Sequence, residues 1–488
     1  MESALEIRPV RISEQPGSLP PLAVDLDGTL LKTDVLLESL IRLLRRAPWS
    51  IFLLPFWLWK GKAHLKHQVA CRVSIDVSTL PYREDLLDYL RTQRSQGRVL
   101  ALATAADQKI AHQIADHLRL FDFVFSSDGN TNLLPKAKRD RLVKVFGERG
   151  FDYAGNGRHD LRVWSAARRA IAVNPDFHIR EGIARAAELD RVFEDPRKSL
   201  TAYLRPLRPQ HWLKNILLFV TLLAAHRVNE LLLLNKLVLA FLAFGCIASS
   251  GYLINDLFDL QADRRHPDKR FRAFASGSLP LVYPLVMIPL LAGFGCVLGE
   301  VVSGPFLVTL LTYFALSVAY SLFLKKVVVL DVSILAGLYT LRILAGSAAI
   351  SIWPSHWLLA FSIFLFFSLA LVKRYSELTL MRQAEGDGAR ARGYDVRDGE
   401  LLSAMGIASG YLAVFVLAMY MSSAAAHVLY RRYEMMWFLC PLLFYWISYA
   451  WLIAHRGRMP DDPVVFAMND RTSRILAVLM LVVMLLAL

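Results

Sequence analysis

Residues 255–263 read Asn-Asp-Leu-Phe-Asp-Leu-Gln-Ala-Asp, and this stretch decides the fold expected of the chain. It directly follows about seventeen mostly apolar residues, 237–253, enough to cross most of a bilayer as a helix. If that helix continues, Asp256, Asp259 and Asp263 lie on one face, because residues three and four apart are neighbours on a helix. The pattern therefore predicts a membrane helix that ends in a cluster of carboxylates.

Carboxylates at the end of a membrane helix need a polar environment. One placed at the bilayer centre costs roughly 2.5–3.5 kcal/mol, so such groups usually face a polar cavity. Mg²⁺ suits an oxygen-rich cluster of this kind, because it keeps several waters and takes further ligands from substrate phosphates. We therefore expect Asn255, Asp256, Asp259 and Asp263 to hold Mg²⁺ and a diphosphate, directly or through water. A solvated helix end is the alternative, but it does not explain the spacing.

The composition indicates a membrane protein rather than a nucleic-acid-binding protein. The chain has 488 residues, 55% of them apolar, and a formal net charge of +14. Residues 1–205 are charged throughout and resemble a soluble domain, whereas long apolar segments dominate from Trp212 onward. Outside the apolar half, no stretch interleaves basic with aromatic residues, so no nucleic-acid partner is expected. The first thirty residues carry acidic groups and no long apolar core, so no signal peptide is expected.

The apolar half contains nine segments that predict membrane helices. They cover residues 213–226, 237–254, 279–301, 304–323, 327–350, 356–372, 401–423, 435–454 and 475–488. With the N-terminus inside, the cytoplasmic loops hold seventeen Lys and Arg residues and the opposite loops hold four. Because basic loops stay in the cytoplasm, this bias predicts a multi-pass protein of the inner (cytoplasmic) membrane with its N-terminal domain in the cytoplasm.

The N-terminal half alternates predicted strands with predicted helices. Strands are expected at 22–24, 99–103 and 123–126, a helix at about 108–118, and a further strand at Tyr153 before a polar turn. Such alternation is typical of a doubly wound α/β domain, in which functional residues follow the carboxyl ends of the strands.

An apolar insertion, residues 49–61, lies between the first two strands and is flanked by basic residues. It is too short to span a bilayer. One interpretation is a buried helix of a cap subdomain. The other is a segment that lies on the membrane with its tryptophans at the headgroup level.

Residues 24–29, Val-Asp-Leu-Asp-Gly-Thr, resemble the first motif of the haloacid dehalogenase-like hydrolases. A carboxylate at a strand end can attack phosphorus, and a second one two residues later can protonate the leaving oxygen. The resemblance implies that Asp25 is the nucleophile and Asp27 the acid and base.

Three further motifs of the same family follow in order. Thr104 matches the phosphate-holding hydroxyl, and Lys138 matches the phosphate-binding lysine, with Lys136 as the alternative. Residues 155–160 match the last motif, which normally supplies two acids around Mg²⁺. Here the first acid is replaced by Asn156, which leaves Asp160 with Asp25. The amide carries no charge, so a weakened metal site is expected, and a decayed domain kept as a scaffold is the alternative.

The apolar segments and residues 255–263 together resemble the UbiA superfamily of membrane transferases. Its prenyltransferases have a second Asp-rich motif later in the chain. The corresponding stretch here contains Tyr320, Lys325 and Asp331, with Leu335 where a second acid would be expected. The half motif argues against transfer of a prenyl group to an aromatic acceptor, which is kept as the alternative reaction.

Other residues resemble the decaprenyl-phosphate phosphoribosyltransferase branch. They are residues 208–215 before the first span, Arg342 inside the fifth span, and residues 462–466 before the last. The resemblance implies phosphoribosyl pyrophosphate as donor and a polyprenyl phosphate lipid as acceptor. Such a donor needs several cations, and the candidates are Arg208, Lys214, Lys269, Arg270, Lys325 and Arg342.

The expected fold class is an α/β Rossmann-like hydrolase domain followed by an all-α polytopic membrane domain of about nine transmembrane helices. The expected domains are a flexible lead (1–20), a haloacid dehalogenase-like hydrolase domain (21–190, cap insertion about 33–85), a linker or interfacial segment (191–211) and a UbiA-like transferase domain (212–488). The expected function is phosphoribosyl transfer to the lipid, followed by removal of the 5-phosphate in the N-terminal domain. A non-catalytic membrane scaffold is the alternative of another class, and a homo-oligomer is left open.

Overall fold

The computed structural model describes residues 19–487, apart from 197, 386–389, 392 and 461–462. Most of the predicted lead and Asp462 therefore lie outside the described residues. Contacts divide the chain into two units. The first is Met1–Pro206 with Asp256–Leu285, and the second is Leu207–Asn255 with Val286–Leu488.

The first unit is built on a parallel sheet of six strands. They are β1 (Leu22–Val24), β2 (Leu100–Asp107), β3 (Phe123–Ser127), β4 (Asp152–Gly155), β5 (Arg169–Val173) and β6 (Glu188–Phe193), in the order β3-β2-β1-β4-β5-β6. The strands predicted at the first motif, before Thr104, at 123–126 and at Tyr153 are all present. The order places β1 in the middle, with β2 and β4 as its neighbours.

Alternating side chains fill a core on each face of this sheet. Leu22 and Val24 point into one core, whereas Ala23 between them points into the other. Strands that are buried on both faces belong to parallel sheets with helices on either side. Fully burying a leucine contributes about 1.5–3 kcal/mol, so both faces stabilise the position of β1.

Helices surround the sheet and form the cap insertion. They are α1 (Val35–Arg46), α2 (Leu54–Trp59), α3 (Lys62–Arg72), α4 (Glu84–Ser95), α5 (Gln108–Leu118), α6 (Pro135–Phe146), α7 (Leu161–Trp164), α8 (Phe177–Ala186) and α9 (Leu200–Leu204). Asp34 caps α1 by accepting a hydrogen bond from the Leu37 amide (2.9 Å), and Asp107 caps α5 in the same way. Side-chain caps of this type define where a helix begins.

The apolar insertion forms a 3₁₀ helix, Pro48–Phe52, followed by α2. Trp57 is 5% exposed and packs in a small core with Leu43 and Val69. In contrast, Phe52 is 81% and Trp59 83% exposed. The interpretation as a buried cap helix is therefore wrong for most of the segment, and contact with lipid stays a prediction.

The rest of the chain is almost entirely helical. Its helices are α10 (Val220–Ala224), α11 (Leu231–Phe258), α12 (Leu260–Arg265), α13 (Val282–Val302), α14 (Gly304–Leu322), α15 (Leu330–Ile350), α16 (His356–Glu385), α17 (Gly399–Met421), α18 (Ala424–Leu429), α19 (Tyr433–Met436), α20 (Leu439–His455), α21 (Pro463–Asn469) and α22 (Arg471–Ala487). A short antiparallel pair, Arg390–Ala391 and Tyr394–Asp395, lies between α16 and α17.

Within the described residues, seven helical segments are long and apolar enough to cross a membrane, so the chain is a multi-pass membrane protein. They correspond to seven of the nine predicted spans. The first predicted span, 213–226, instead forms a 3₁₀ helix, Pro209–Phe219, followed by α10. The last is the 17-residue helix α22. The predicted fold class is confirmed. The helices at the two ends of the predicted series, α10 and α22, are shorter than the seven candidate spans.

The helix that carries the acidic motif does not continue through it. α11 ends at Phe258, Asp259 has φ −91° and ψ 4°, and α12 begins at Leu260. The expectation of one continuous helical face for the three aspartates was therefore wrong. The chain turns at Asp259 and re-enters a short helix.

Five of the candidate spans lie between residues 278 and 434, so these positions are predicted on opposite sides of the membrane, and the excess of basic residues predicts that residue 278 is cytoplasmic. A reporter fused after residue 278 should give a cytoplasmic signal, and one fused after residue 434 should give a signal from the opposite side. Paired alkaline phosphatase and fluorescent-protein fusions at both sites measure this. The same signal at both positions would contradict the topology.

Candidate functional site

The carboxyl edge of the sheet brings the hydrolase-like motifs together. Val24 pairs with Leu102 of β2 and with Ala154 of β4, so the residues that follow these three meet at one edge. Asp25 follows β1, and the buried Thr104 lies where the regular pairing of β2 with β3 ends. The parallel register thus gathers residues that are far apart in the sequence.

Of the two candidate lysines, Lys138 is the one that lies at this edge of the sheet. It is buried on α6, and its Nζ lies 2.6 Å from Asp25 Oδ1 and 3.1 Å from the Tyr153 hydroxyl. Lys136, the alternative, is exposed on the same helix. Burial of the ammonium opposes its charge, but the neighbouring Asp25 and Asp160 together hold the pKa of Lys138 above its usual value. A positive charge is therefore held beside the predicted nucleophile, Asp25.

Asp160 is occupied by hydrogen bonds from its surroundings. The Tyr153 hydroxyl donates a hydrogen bond to Oδ1 (2.8 Å), and the backbone amides of Asn156 and Gly157 each donate a hydrogen bond to Oδ2 (3.0 Å). Both carboxylate oxygens therefore already accept bonds, and Asp25 already faces Lys138. With Asn156 neutral, this donor set does not fit a tightly held Mg²⁺, which prefers charged and open oxygen ligands.

Burial raises the pKa values of the two carboxyls of the first motif by different amounts. Burial raises the pKa of Asp25 to about 6, with Lys138 opposing the shift. Burial, reinforced by Asp34, raises the pKa of Asp27 to about 8, although the Val35 amide donates to its Oδ1 (2.9 Å). At neutral pH Asp25 is therefore mainly ionised, as a nucleophile must be, and Asp27 mainly protonated, as an acid must be.

A cavity of about 390 Å³ is lined by the second of these carboxyls, Asp27. Asp27 lies at its base, and its wall combines Lys62 and Lys66 with apolar side chains that include Leu58 of the exposed insertion. Lys66 Nζ donates to the Ala105 carbonyl oxygen (2.6 Å). Sequence reasoning did not select Lys66 or Tyr153. Only their positions in the sequence could have indicated them. Lys66 lies in the cap insertion, and Tyr153 lies on the strand before the last motif.

The acidic motif forms a second constellation in the first unit. Arg272 Nη1 lies 2.8 Å from Asp263 Oδ2 and 3.5 Å from Asp256 Oδ1, so these two oxygens are no more than about 6.3 Å apart, the sum of the two distances. A straight helix would separate residues 256 and 263 by about 10.5 Å along its axis. The two carboxylates thus face one cation from either side of the turn at Asp259.

Within the described residues, no three acidic, His or Cys side chains form a protein-only metal cluster. Asp256 and Asp263 nevertheless fit Mg²⁺ that is shared with a substrate, because Mg²⁺ usually takes only one or two protein carboxylates and completes its shell with water and phosphate oxygens. Their convergence on one cation, Arg272, shows that both can face the same positive charge.

The remaining residues that were predicted to bind substrate are divided between the two units. Asn255 Oδ1 accepts a hydrogen bond from the buried Lys325 (3.3 Å) in the second unit. Tyr320 is half-buried on α14. In the first unit, Lys269 is half-buried and Arg270 is exposed, with its guanidinium 4.8 Å from the Phe271 ring.

Arg342 lies in the interior of the helices of the second unit. Its guanidinium donates to the Tyr313 hydroxyl (2.8 Å) and the Leu338 carbonyl (2.7 Å), and more weakly to Asn215 Oδ1 (3.4 Å). The side chain is 4% exposed, and its partners among the described residues include no carboxylate. A charge buried at membrane depth without a counter-ion marks a candidate anion site.

Two more predicted cations lie in the same unit. Lys214 Nζ is 5.5 Å from the centre of the Tyr339 ring, which Arg342 also faces at 5.4 Å. Arg208 faces the Tyr252 ring at 5.4 Å. Lys214 and Arg342 are thus brought together around one aromatic ring, which strengthens the positive field there.

Asp331 has a different environment from that expected of a substrate-binding residue. It is fully buried, Tyr394 donates a hydrogen bond to it (2.6 Å), and Arg374 forms an ion pair with it. Its two oxygens are therefore held by neighbouring helices and the short strand pair. A direct contact with substrate stays a prediction that these bonds do not favour.

Comparison with known proteins adds to this geometry. The UbiA prenyltransferase family matches residues 216–476. The uncharacterized protein y4nM of Sinorhizobium fredii is 37% identical over 460 residues, 93% of this chain and 88% of that protein, so the similarity includes both domains. The decaprenyl-phosphate phosphoribosyltransferase of Mycobacterium tuberculosis is 29% identical over 304 residues, 59% of this chain and 94% of that enzyme. Among solved structures, a HAD family hydrolase from Salmonella enterica aligns with 35% of this chain and 68% of its own, with 17% identity and a TM-score of 0.27.

The two pKa values predict a bell-shaped pH profile for hydrolysis of a phosphomonoester. Activity should fall below about pH 6, where Asp25 becomes protonated, and above about pH 8, where Asp27 loses its proton. The measurement is kcat/KM from pH 5 to 10 with an alkyl phosphate, because kcat/KM reports the free enzyme. Asp27→Asn should remove the alkaline limb. An unchanged rate between pH 7 and 10 in the native protein would contradict the assignment.

Proposed function

This chain belongs to the UbiA prenyltransferase family, and we propose that its membrane domain transfers 5-phosphoribose from phosphoribosyl pyrophosphate to a polyprenyl phosphate. The observation that carries this proposal is Arg342, a buried cation whose described partners include no carboxylate. A reaction with two phosphorylated substrates needs such a site. The named phosphoribosyltransferase relative supports this choice within the family.

The proposed reaction needs electrostatic stabilisation more than proton transfer. An oxygen of the lipid phosphate attacks C1 of the ribose, and the bond from C1 to the diphosphate oxygen breaks, with the electron pair leaving on diphosphate. The lipid phosphate is already an anion, so no general base is required. Mg²⁺ would be held by Asp256 and Asp263, with Asn255 and Asp259 as the further predicted ligands, and would neutralise the departing diphosphate. Lys214 and Arg342 would orient an anionic substrate group.

Transfer of a prenyl group to an aromatic acceptor is the second candidate. In that chemistry, the later motif has to supply open carboxylates for the diphosphate of the prenyl donor. Here Leu335 replaces one acid, and the other, Asp331, is fully buried against Arg374 and Tyr394. This arrangement favours the phosphoribosyl reaction over the prenyl reaction.

For the N-terminal domain we propose removal of the 5-phosphate from the product. Asp25 attacks the phosphorus, the bond to the ribose 5-oxygen breaks, and Asp27 gives that oxygen its proton. Water then attacks the aspartyl phosphate, Asp27 takes a proton from it, and phosphate leaves. Lys138 and Thr104 hold the phosphoryl oxygens during both steps. The ion pair of Lys138 with Asp25 supplies the positive charge, and no step requires the weak metal site at Asn156 and Asp160.

The cavity above Asp27 supports a lipid-linked substrate. Its wall is apolar on the side of Leu58, which belongs to the exposed insertion, and basic at Lys62 and Lys66. Exposed Phe52 and Trp59 continue the apolar surface. Aromatic and basic residues of this type prefer the interface between headgroups and acyl chains. A phosphorylated headgroup that stays attached to a polyprenyl chain fits such an entrance, with both domains acting at the cytoplasmic face of the inner membrane.

A scaffold without catalysis is the proposal's main competitor from another class. It would explain Asn156, but it gives no reason for the pKa separation of Asp25 and Asp27 or for the Lys138 ion pair. Labelling of lipid from phosphoribosyl pyrophosphate and analysis of the lipid products distinguish these possibilities.

The transferase proposal predicts that label from phosphoribosyl pyrophosphate enters lipid in the presence of Mg²⁺ and polyprenyl phosphate. Asp256→Asn should lower kcat/KM about 100-fold or more, comparable with loss of one preorganised charge-stabilising group. Asp268→Asn is the matched control, because Asp268 is exposed in the same loop. Consumption of a prenyl diphosphate without labelling of lipid would support the second candidate instead, and unchanged products in Asp256→Asn would support the scaffold.

The hydrolase proposal predicts that Asp25→Asn leaves the transferase active but lets the 5-phosphorylated lipid accumulate. The native protein should yield the dephosphorylated lipid and free phosphate. Mass spectrometry of the lipid products distinguishes the two species, and Asp116→Asn, an exposed substitution in the same domain, is the control. If the native protein yields only the phosphorylated lipid, the proposed hydrolase role is wrong.

A further inference from the structure

Helix α1 of the N-terminal domain contacts the acidic loop, defined here as residues 256–285, which carries Asp256, Asp259 and Asp263. Both belong to the first unit. We propose that Glu38 and Arg45 of α1 are positioning residues for the transferase, because they hold the acidic loop in its bent form. The inference rests on the transferase activity proposed above and adds two residues that lie outside the family's matched region, 216–476.

Glu38 and Arg264 form a buried, bidentate ion pair. Arg264 Nη1 donates to Glu38 Oε2 (2.9 Å), Nη2 donates to Oε1 (2.6 Å), and both side chains are 3% exposed. Arg264 Nε also donates to the carbonyl oxygen of Ala275 (3.0 Å). The Arg264 guanidinium, which belongs to α12, therefore contacts both α1 and Ala275 in the later part of the acidic loop. Removing either partner of a buried pair leaves an uncompensated charge, so the bent loop depends on Glu38.

Arg45 acts at the turn itself. Its Nη1 donates to the carbonyl oxygen of Phe258, the last residue of α11, and its Nη2 lies 3.5 Å from Asp259 Oδ1. The final carbonyls of a helix lack partners within the helix and carry partial negative charge. Arg45 satisfies one of them and faces the aspartate at which the helix stops. It thus stabilises the break that allows Asp256 and Asp263 to converge.

Two further contacts extend this attachment. Arg265 Nη2 lies 2.6 Å from Asp76 Oδ2, near the end of the cap. Gly277 has φ +69°, and a Cβ at this position would come within 2.7 Å of the Lys32 side chain. Only glycine allows both this backbone conformation and the close approach. The acidic loop is therefore attached to the N-terminal domain at two places, by ion pairs near α12 and by close packing near Gly277.

The position of α1 explains why the attachment concerns both activities. Glu38 and Arg45 are seven residues apart and lie on one face of the helix. Val35, Leu36 and Ser39 of the same helix line the hydrolase cavity. A single helix therefore contributes to the wall of one proposed active site and to the support of the other.

The test compares Arg45→Gln with Arg46→Gln in the full chain. Arg46 is the next residue of the same helix and is exposed, so it controls for loss of charge. Arg45→Gln should raise the KM for phosphoribosyl pyrophosphate about tenfold and leave the KM for polyprenyl phosphate unchanged, whereas Arg46→Gln should change neither. Arg45→Lys, which keeps the charge, should recover part of the loss. Equal behaviour of Arg45→Gln and Arg46→Gln in an active transferase would overturn the role of Arg45.

A readout independent of catalysis tests Glu38. In Glu38→Gln, hydrogen exchange measured by mass spectrometry should accelerate at least tenfold across residues 256–276, while β1 and β2 keep their protection and hydrolysis of a soluble phosphomonoester continues. Glu38→Gln combined with Arg264→Gln should be less affected than Glu38→Gln alone, because the unpaired charge is gone. Unchanged exchange in the acidic loop would overturn the inference. A native protein without transferase activity would instead overturn the proposed function, whatever the exchange data show.

Discussion

The convergence of Asp256 and Asp263 on Arg272 is the interaction around which the rest of this structure is arranged. Two carboxylates at the end of an apolar helix repel each other and are poorly solvated, so they can remain close only if a cation lies between them. In a substrate complex, the same requirement can be met by a metal ion with a diphosphate. Arg272 thus occupies the place that the proposed metal ion would take in a substrate complex.

The hydrolase-like site satisfies a related constraint differently. Its predicted nucleophile, Asp25, is ion-paired with the buried Lys138, whose charge needs no metal. Asp160 orients the loop of Asn156 and Gly157 through its backbone hydrogen bonds and holds Tyr153. In the proposed mechanism based on Lys138, Asn156 is acceptable, because no carboxylate is required there to neutralise a metal ion. The substitution that suggested decay of the domain is therefore compatible with a site based on lysine.

The sequence was sufficient for the strands and motifs of the first domain because local patterns determine them. A parallel strand that is buried on both faces and ends in Asp25 can hardly be mistaken, and the chosen lysine, Lys138, is the one beside it. The break at Asp259 could not be predicted in this way. Arg45, more than two hundred residues earlier, contacts the chain at this break, and no local pattern reports such a contact. The same applies to Asp331, whose place in the motif suggested a ligand but whose partners, Arg374 and Tyr394, come from later elements.

The shared helix α1 gives a physical reason for the fusion of two domains. Tethering alone raises the local concentration of one active site near the product of the other, and a flexible linker would achieve that. A buried ion pair such as Glu38–Arg264 does more, because it is favourable only when both partners are present and correctly placed. The acidic loop and the N-terminal domain belong to one contact unit, and the Glu38–Arg264 pair lies within it. Because Val35 and Ser39 of the same helix line the cavity at Asp27, the contacts of α1 reach both the hydrolase-like site and the turn at Asp259.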